Sequence, residues 1–290
     1  MYNAIYVVRG GDIISNNISI QSSSQSDIAI DKTVTVYLSP DFIQVVDVEN
    51  QHTIDYKKLS KNTVLNVRTG EVKTITSNKS EKRSIDSIRK TFSKLSLLIN
   101  CNYFGHRSEC FISFSYAHII SGYEELKRDI KNLWARFQRR NKERIPFRCL
   151  VLIEYQRNGN PHLHLLLKRL DNCTLTTEYV NSLFSWTKGT IDVQRLYDAN
   201  GLAEYLNPFI VSKKREQLKF YKQGQQIYRC YGQFVRPQKI KMTAKEALRL
   251  VDENQLVEYQ SKAYLVLNDD VIVNKITKKY FKKGVKQNEK

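Results

Sequence analysis

Residues 147–168, FRCLVLIEYQRNGNPHLHLLLK, constrain this chain more than any other stretch. Two apolar runs flank a turn of Asn, Gly and Pro, the pattern of an antiparallel hairpin. Successive side chains of a strand point to opposite faces. His162 and His164 therefore share a face, about 7 Å apart at Cα, while Leu163 turns to the core. A hairpin turning over 158–161 returns Glu154, on the first strand, to the neighbourhood of that pair. Two imidazoles and a carboxylate make a donor set for Mg2+, Mn2+ or Zn2+, with positions left open for substrate oxygens. The chain has five histidines, and two fall in this one strand. Taken alone, the pair is also compatible with two packed structural histidines.

The hairpin sits within a longer alternation. Residues 84–100 carry Ile85, Ile88, Phe92, Leu95 and Leu98 or Ile99 at helical spacing, with Lys and Arg opposite. Residues 109–116, ECFISFSY, read as a strand rich in β-branched and aromatic residues. A helix is expected over 122–141, with Tyr123, Leu126, Ile130, Leu133, Trp134 and Phe137 as its apolar stripe. It ends in the basic cluster RRNKER, which begins with Arg139 and Arg140. After the hairpin, 178–186 predicts a helix and 190–196 a strand. The order strand, helix, strand, strand, helix, strand is that of ferredoxin-like folds. The expected class is α+β: a central, mainly antiparallel sheet of about five strands with helices packed on it.

Outside that span the pattern thins. Alternating segments at 34–38 and 42–48 predict strands, and the polar run 15–26 predicts a loop. Residues 202–214, LAEYLNPFIVSKK, read as a helix or a helix broken at Pro208. Residues 229–234, RCYGQF, read as a turn, 243–253 as a helix, and 264–273 as two short strands about 268–270. The basic tail from Lys275 is expected to be solvated. These segments suggest a β-rich accessory region over 1–80, a core over 81–240, and a C-terminal extension over 241–290.

Charge points to a partner class. The formal net charge is +18, which predicts a polyanion as partner, with nucleic acid first. Seventeen Tyr and twelve Phe offer stacking surface for single-stranded bases, beyond what the core uses. Cys101, Cys110, Cys149, Cys173 and Cys230 lie far apart without a C-x-x-C, so reduced thiols and a cytoplasmic setting are expected. No signal-peptide pattern opens the chain, and no stretch is apolar and long enough to span a bilayer. A Walker A motif is missing too, so unwinding is left to host factors or superhelical strain.

Three segments carry a resemblance. FISFSY at 111–116 looks like motif 1, NPHLHLLL at 160–167 like motif 2, and LAEYLNPFIVSKK at 202–214 like motif 3 of the HUH endonucleases. These include the rolling-circle replication initiators of plasmids and of small single-stranded DNA phages, among them the filamentous type. The resemblance covers roughly 84–235 and implies a ferredoxin/RRM-like core. It implies His162 and His164 as metal ligands, Glu154 as the third, Mg2+ or Mn2+ as the ion, and Tyr205 as nucleophile. Lys213, Lys214, Arg229, Arg139 and Arg140 are expected at DNA. Motif 3 departs from the usual Y-x-x-K-Y-x-x-K pattern. Pro208 and Ser212 stand at the lysine positions and Phe209 at the second tyrosine, which looks like a one-tyrosine enzyme.

The function so implied is site-specific nicking and joining of one DNA strand through a covalent 5′-phosphotyrosine. The expected partners are single-stranded origin DNA and the host helicase and polymerase. Tyr197 and Tyr221 remain alternative nucleophiles. A transposase of the same chemistry is one alternative function. A non-catalytic nucleic-acid-binding module with structural histidines is another.

Overall fold

The computed structural model describes residues 5–9, 12–16, 29, 31–48, 56–60, 63–66, 69–74, 85–196, 215–253, 256–267 and 271–283. The central sheet has five strands: β8 (Glu109–Tyr116), β9 (Phe147–Tyr155), β10 (Pro161–Arg169), β11 (Gly189–Arg195) and β12 (Tyr228–Tyr231). Their order is β11-β8-β10-β9-β12, and every neighbouring pair is antiparallel. The first four strands are thus arranged as a βαββαβ unit requires, with the histidine strand β10 at the centre.

Alternation fixes which face each side chain takes. Leu163, Leu165 and Leu167 point one way, joined by Ile112 and Phe114 of β8 and by Cys149, Val151 and Ile153 of β9, all buried. Two helices, α2 (Tyr123–Arg140) and α3 (Thr177–Leu183), cover that face. Phe137 of α2 meets Phe147 edge-on at 5.1 Å, and Phe184, just past α3, meets Phe114 at 5.7 Å. Burying one Leu or Phe side chain contributes about 1.5–3 kcal/mol. A one-residue slip of β10 would turn its leucines outward and its histidines into that layer, so the register is strongly specified.

Helix α1 (Ile85–Asn100) joins the same core through Ile88, Phe92, Leu95 and Ile99. The chain after it covers one end of the histidine face: the Tyr103 hydroxyl donates to Leu166 O at 3.0 Å, and Lys168 lies over the Phe104 ring. His162 and His164 lie towards the other end.

The two chain ends share a second sheet. β1 (Ile5–Arg9), β2 (Asp12–Asn16), β3 (Thr33–Ser39) and β4 (Phe42–Val48) combine with β13 (Gln238–Thr243), β14 (Leu256–Leu267) and β15 (Val271–Lys283). The order is β13-β3-β4-β15-β14-β1-β2, parallel only between β1 and β14. Helix α5 (Ala244–Glu253) packs Ala244, Ala247 and Val251 against Val36, Ile43, Val45 and Phe281. Thr243 and Glu246 cap it reciprocally, with backbone N–H to side-chain oxygen bonds of 2.8 and 3.2 Å. Three short strands, β5 (Tyr56–Lys58), β6 (Thr63–Asn66) and β7 (Val72–Thr74), form a third sheet, and α4 (Arg215–Leu218) precedes β12.

Several expectations change. Residues 228–231 form a strand, and the turn falls at Gly232, whose φ of 87° is left-handed. A Cβ there would come within 2.3 Å of Phe147 O, so glycine alone fits. The basic tail is not solvated up to 283: β15 runs between β14 and β4, and Lys279 is buried. The two short strands near the C-terminus are long ones, of 12 and 13 residues. Helix α3 ends at Leu183, short of 186. Of the 15–26 loop, residues 15 and 16 belong to β2, and the rest lies outside the described residues. The five cysteines are free, and Cys101, Cys110 and Cys149 are buried. No described helix is long and apolar enough to cross a membrane.

Candidate metal and DNA-strand site

The hairpin turn sets the site. Gln156 N–H donates to Asn160 O at 2.9 Å, and Gly159 N–H to Gln156 O at 3.0 Å. Gly159 has a φ of 85°, and a Cβ there would press on the Phe220 ring at 2.8 Å. Buried Asn160 ties the turn to the loop after β8. Its amide nitrogen donates to His118 O at 3.0 Å, and its oxygen accepts from Ile120 N–H at 3.2 Å. That loop is clamped in turn. The Tyr116 hydroxyl donates to Asp129 of α2 at 3.0 Å, and Lys188 binds both Asp129 (2.8 Å) and Glu125 (3.1 Å). Burial, reinforced by the Asp129 charge, pushes the Tyr116 phenol well above its ordinary range.

With the turn fixed, His162 lies directly across from Glu154, and His164 lies between Leu152 and Ser113. His164 is fully engaged. Its Nδ1 is 3.0 Å from Ser113 Oγ, its Nε2 is 2.8 Å from Glu154 Oε2, and its ring stacks on Phe111 with centroids 5.2 Å apart. His164 and Glu154 are each 7% exposed. His162 is half-buried, and its Nε2 meets the side-chain amide of Gln156. The two imidazole centroids are 6.2 Å apart. Burial, and next the His164 ring, lower the His162 pKa against an opposing pull from Glu154. The ring so favoured is neutral, the form that ligates metal.

This donor set can be tested against a cation. Ions of this class bind nitrogen and oxygen at about 2.0–2.2 Å, which sets adjacent ligands about 3 Å apart. His164 Nε2 and Glu154 Oε2 already stand 2.8 Å apart. His162 is on the correct face but is turned towards Gln156. Among the described residues no group of three or more His, Cys, Asp and Glu is already gathered to hold a metal. The chemistry and the carboxylate–imidazole spacing fit; the third ligand needs a ring rotation.

The other expected residues divide. Tyr205, Tyr197, Lys213 and Lys214 lie outside the described residues, as does the whole of 202–214. Tyr221 is 1% exposed, and its hydroxyl donates to Ile153 O at 2.8 Å beside Phe92 and Tyr155. Arg139 and Arg140 are exposed on α2, over the face opposite the histidines. Arg229, on edge strand β12, pairs with Val151 and so also points to that opposite face, next to Tyr231. Sequence reasoning did not single out Phe111, Ser113 and Gln156. Their signal was present: 111 and 113 alternate in phase with the histidines once β8 and β10 are paired.

Residues 109–214 match the model of a family of replication-associated proteins, the ORF2 group. No curated protein matches the chain. The matched span runs from the first residue of β8 through the hairpin and into the 202–214 segment.

Proposed function

We propose that the chain initiates rolling-circle replication by cutting and rejoining one DNA strand. The observation that carries this reading is the placement of His162, His164 and Glu154 on one face of a βαββαβ sheet, within the span matched to the replication-associated family. His162, His164 and Glu154 would hold Mg2+ or Mn2+. A divalent ion there supplies Lewis-acid polarisation of a phosphate. Ser113 and Phe111 fix the His164 ring, so its Nε2 keeps its aim. Tyr205 is the nucleophile. Its oxygen bonds phosphorus as the bond to the 3′ oxygen breaks; the phenol loses its proton and the 3′ oxygen gains one. The 5′ phosphate stays on the protein and a 3′ hydroxyl is left as primer.

The test is incubation with single-stranded origin DNA and Mn2+, with and without chelator, resolved on a denaturing gel. A covalent adduct is expected, lost with chelator and lost in Tyr205→Phe while DNA binding stays. An adduct that persists in Tyr205→Phe overturns the nucleophile. The closed hydrogen bonds around His164 favour one other reading, a non-catalytic nucleic-acid-binding module with structural histidines. Under it no adduct forms and chelator changes nothing.

A further inference from the structure

The solvent side of α2 plays no part in that chemistry. Its inward stripe is Leu126, Asp129, Ile130, Leu133 and Phe137. The opposite arc presents Arg128, Lys131, Asn132, Ala135, Gln138 and Arg139, all exposed. The acidic residues of the helix are engaged elsewhere. Glu124 sits in the first turn against Lys127 at 3.4 Å, Glu125 is held by Ser121 and Lys188, and Asp129 is buried against Tyr116 and Lys188. Beyond the helix, Arg144 adopts a left-handed φ of 52°. That backbone is costly for a bulky residue, and Asn141 holds it through two hydrogen bonds with Ile145, of 2.8 and 3.1 Å. The turn extends the basic face past the helix end.

The shape and chemistry of this arc suit a duplex. From 127 to 139 the helix rises about 18 Å, at about 1.5 Å per residue. A DNA major groove is about 12 Å wide and admits an α-helix. The middle of the arc is Asn132, Ala135 and Gln138, which match adenine edges and thymine methyls, with Arg and Lys beside them for guanine and phosphate. Single-strand sites rely on aromatic stacking platforms, and the arc has no aromatic residue. We propose that this face of α2 docks in the major groove of double-stranded DNA. It is a second nucleic-acid site, on the sheet face opposite His162 and His164, and it stands whether or not the chain cuts DNA.

Fluorescence anisotropy on the full chain tests this with two probes: a mixed-sequence duplex of about three helical turns and one of its strands alone. Arg128→Ala/Lys131→Ala should weaken duplex binding about tenfold or more and lower the salt dependence by roughly 0.9 per lost phosphate contact. Single-strand affinity should move by less than about threefold. Equal losses on both probes, or no loss on the duplex, overturn the proposal. Asn132→Ala/Gln138→Ala is an independent arm. It should keep the salt dependence and flatten the base preference in selection from a randomised duplex pool, and an unchanged preference also overturns groove docking. His162→Ala/His164→Ala should bind the duplex like the parent, so failure of the nicking reading leaves this result intact.

Discussion

Lys168→Met isolates the ion pair that ties the histidine strand to its neighbour. Lys168 Nζ lies 2.7 Å from Glu109 Oε1, and the two residues face each other across β10 and β8. The Glu109 side chain is wholly buried, and Lys168 is 11% exposed. The second carboxylate oxygen accepts from Phe104 and Gly105 N–H, each at 2.8 Å. At an effective dielectric of about 20, the gross attraction at that separation is about 6 kcal/mol, before the desolvation of both ions. Methionine keeps the stem but not the charge, so Glu109 is left buried with two amides only. Removing one partner of a buried pair costs about 3–5 kcal/mol. The remaining amide bonds place this case at the lower end, about 3 kcal/mol. With a urea m-value of about 2–3 kcal/mol/M, the midpoint should fall by about 1–1.5 M. Both tryptophans, Trp134 and Trp186, pack on this core, so their fluorescence follows its unfolding. Glu109→Gln/Lys168→Met removes the stranded charge and keeps an amide acceptor, so it should recover most of the loss. A midpoint shift under about 0.3 M for Lys168→Met refutes the reasoning. A double variant no better than the single one refutes it as well.

Two further outcomes follow from neighbouring residues. Tyr221→Phe deletes the donor to Ile153 O and should cost about 1–3 kcal/mol in the same urea assay while leaving adduct formation in place; loss of the adduct in folded protein would make Tyr221 the nucleophile. Ser121, through its N–H and then its hydroxyl, and then Lys188, lower the Glu125 pKa from the ordinary 4.5 to about 2. Between those values the unfolded chain binds the extra proton, so this stabilisation is whole above pH 4.5 and is lost as pH falls towards 2. Acid unfolding of Glu125→Gln should therefore depend less steeply on pH in that window, and an unchanged slope sinks the assignment.

The contrast between what the sequence disclosed and what it hid has a physical origin. Periodicity reports which way a side chain faces within its own element. ECFISFSY therefore predicts β8 at its observed bounds, and the alternation of 161–169 places both histidines on one face. Pairing between distant segments leaves no such trace. That strands from both chain ends share one sheet follows from β15 inserting between β4 and β14, which no local pattern announces. Lys-rich 275–283 reads as solvated because charge outweighs alternation when no partner strand is in view. YRCY at 228–231 reads as a turn because Gly232 is the loudest local signal. Its pairing with β9, and the stack of Tyr231 on Trp134 at 4.1 Å, are tertiary. Helix α3 stops early because Phe184 and Trp186 leave helical geometry to pack edge-on against Phe114. The same limit governs the site. Ser113 and Phe111 reach His164 only through the β8–β10 register.

Arg139 and Arg140 show the deepest form of that limit. They precede the hairpin closely in sequence, yet the crossover from α2 into β9 puts them across the sheet from the histidines that follow. Nearness along the chain thus becomes separation by the thickness of a sheet. A duplex on α2 and a single strand at His162 and His164 therefore need not compete for the same surface. A DNA contacting both must pass around an edge of the sheet. The two edges are β11 and β12. The β12 edge is the more basic of the two, since it carries Arg229 beside Tyr231, whereas β11 exposes Asp192 along with Arg195. Electrostatics thus favours a DNA path around β12, from the basic helix to the carboxylate–imidazole pair.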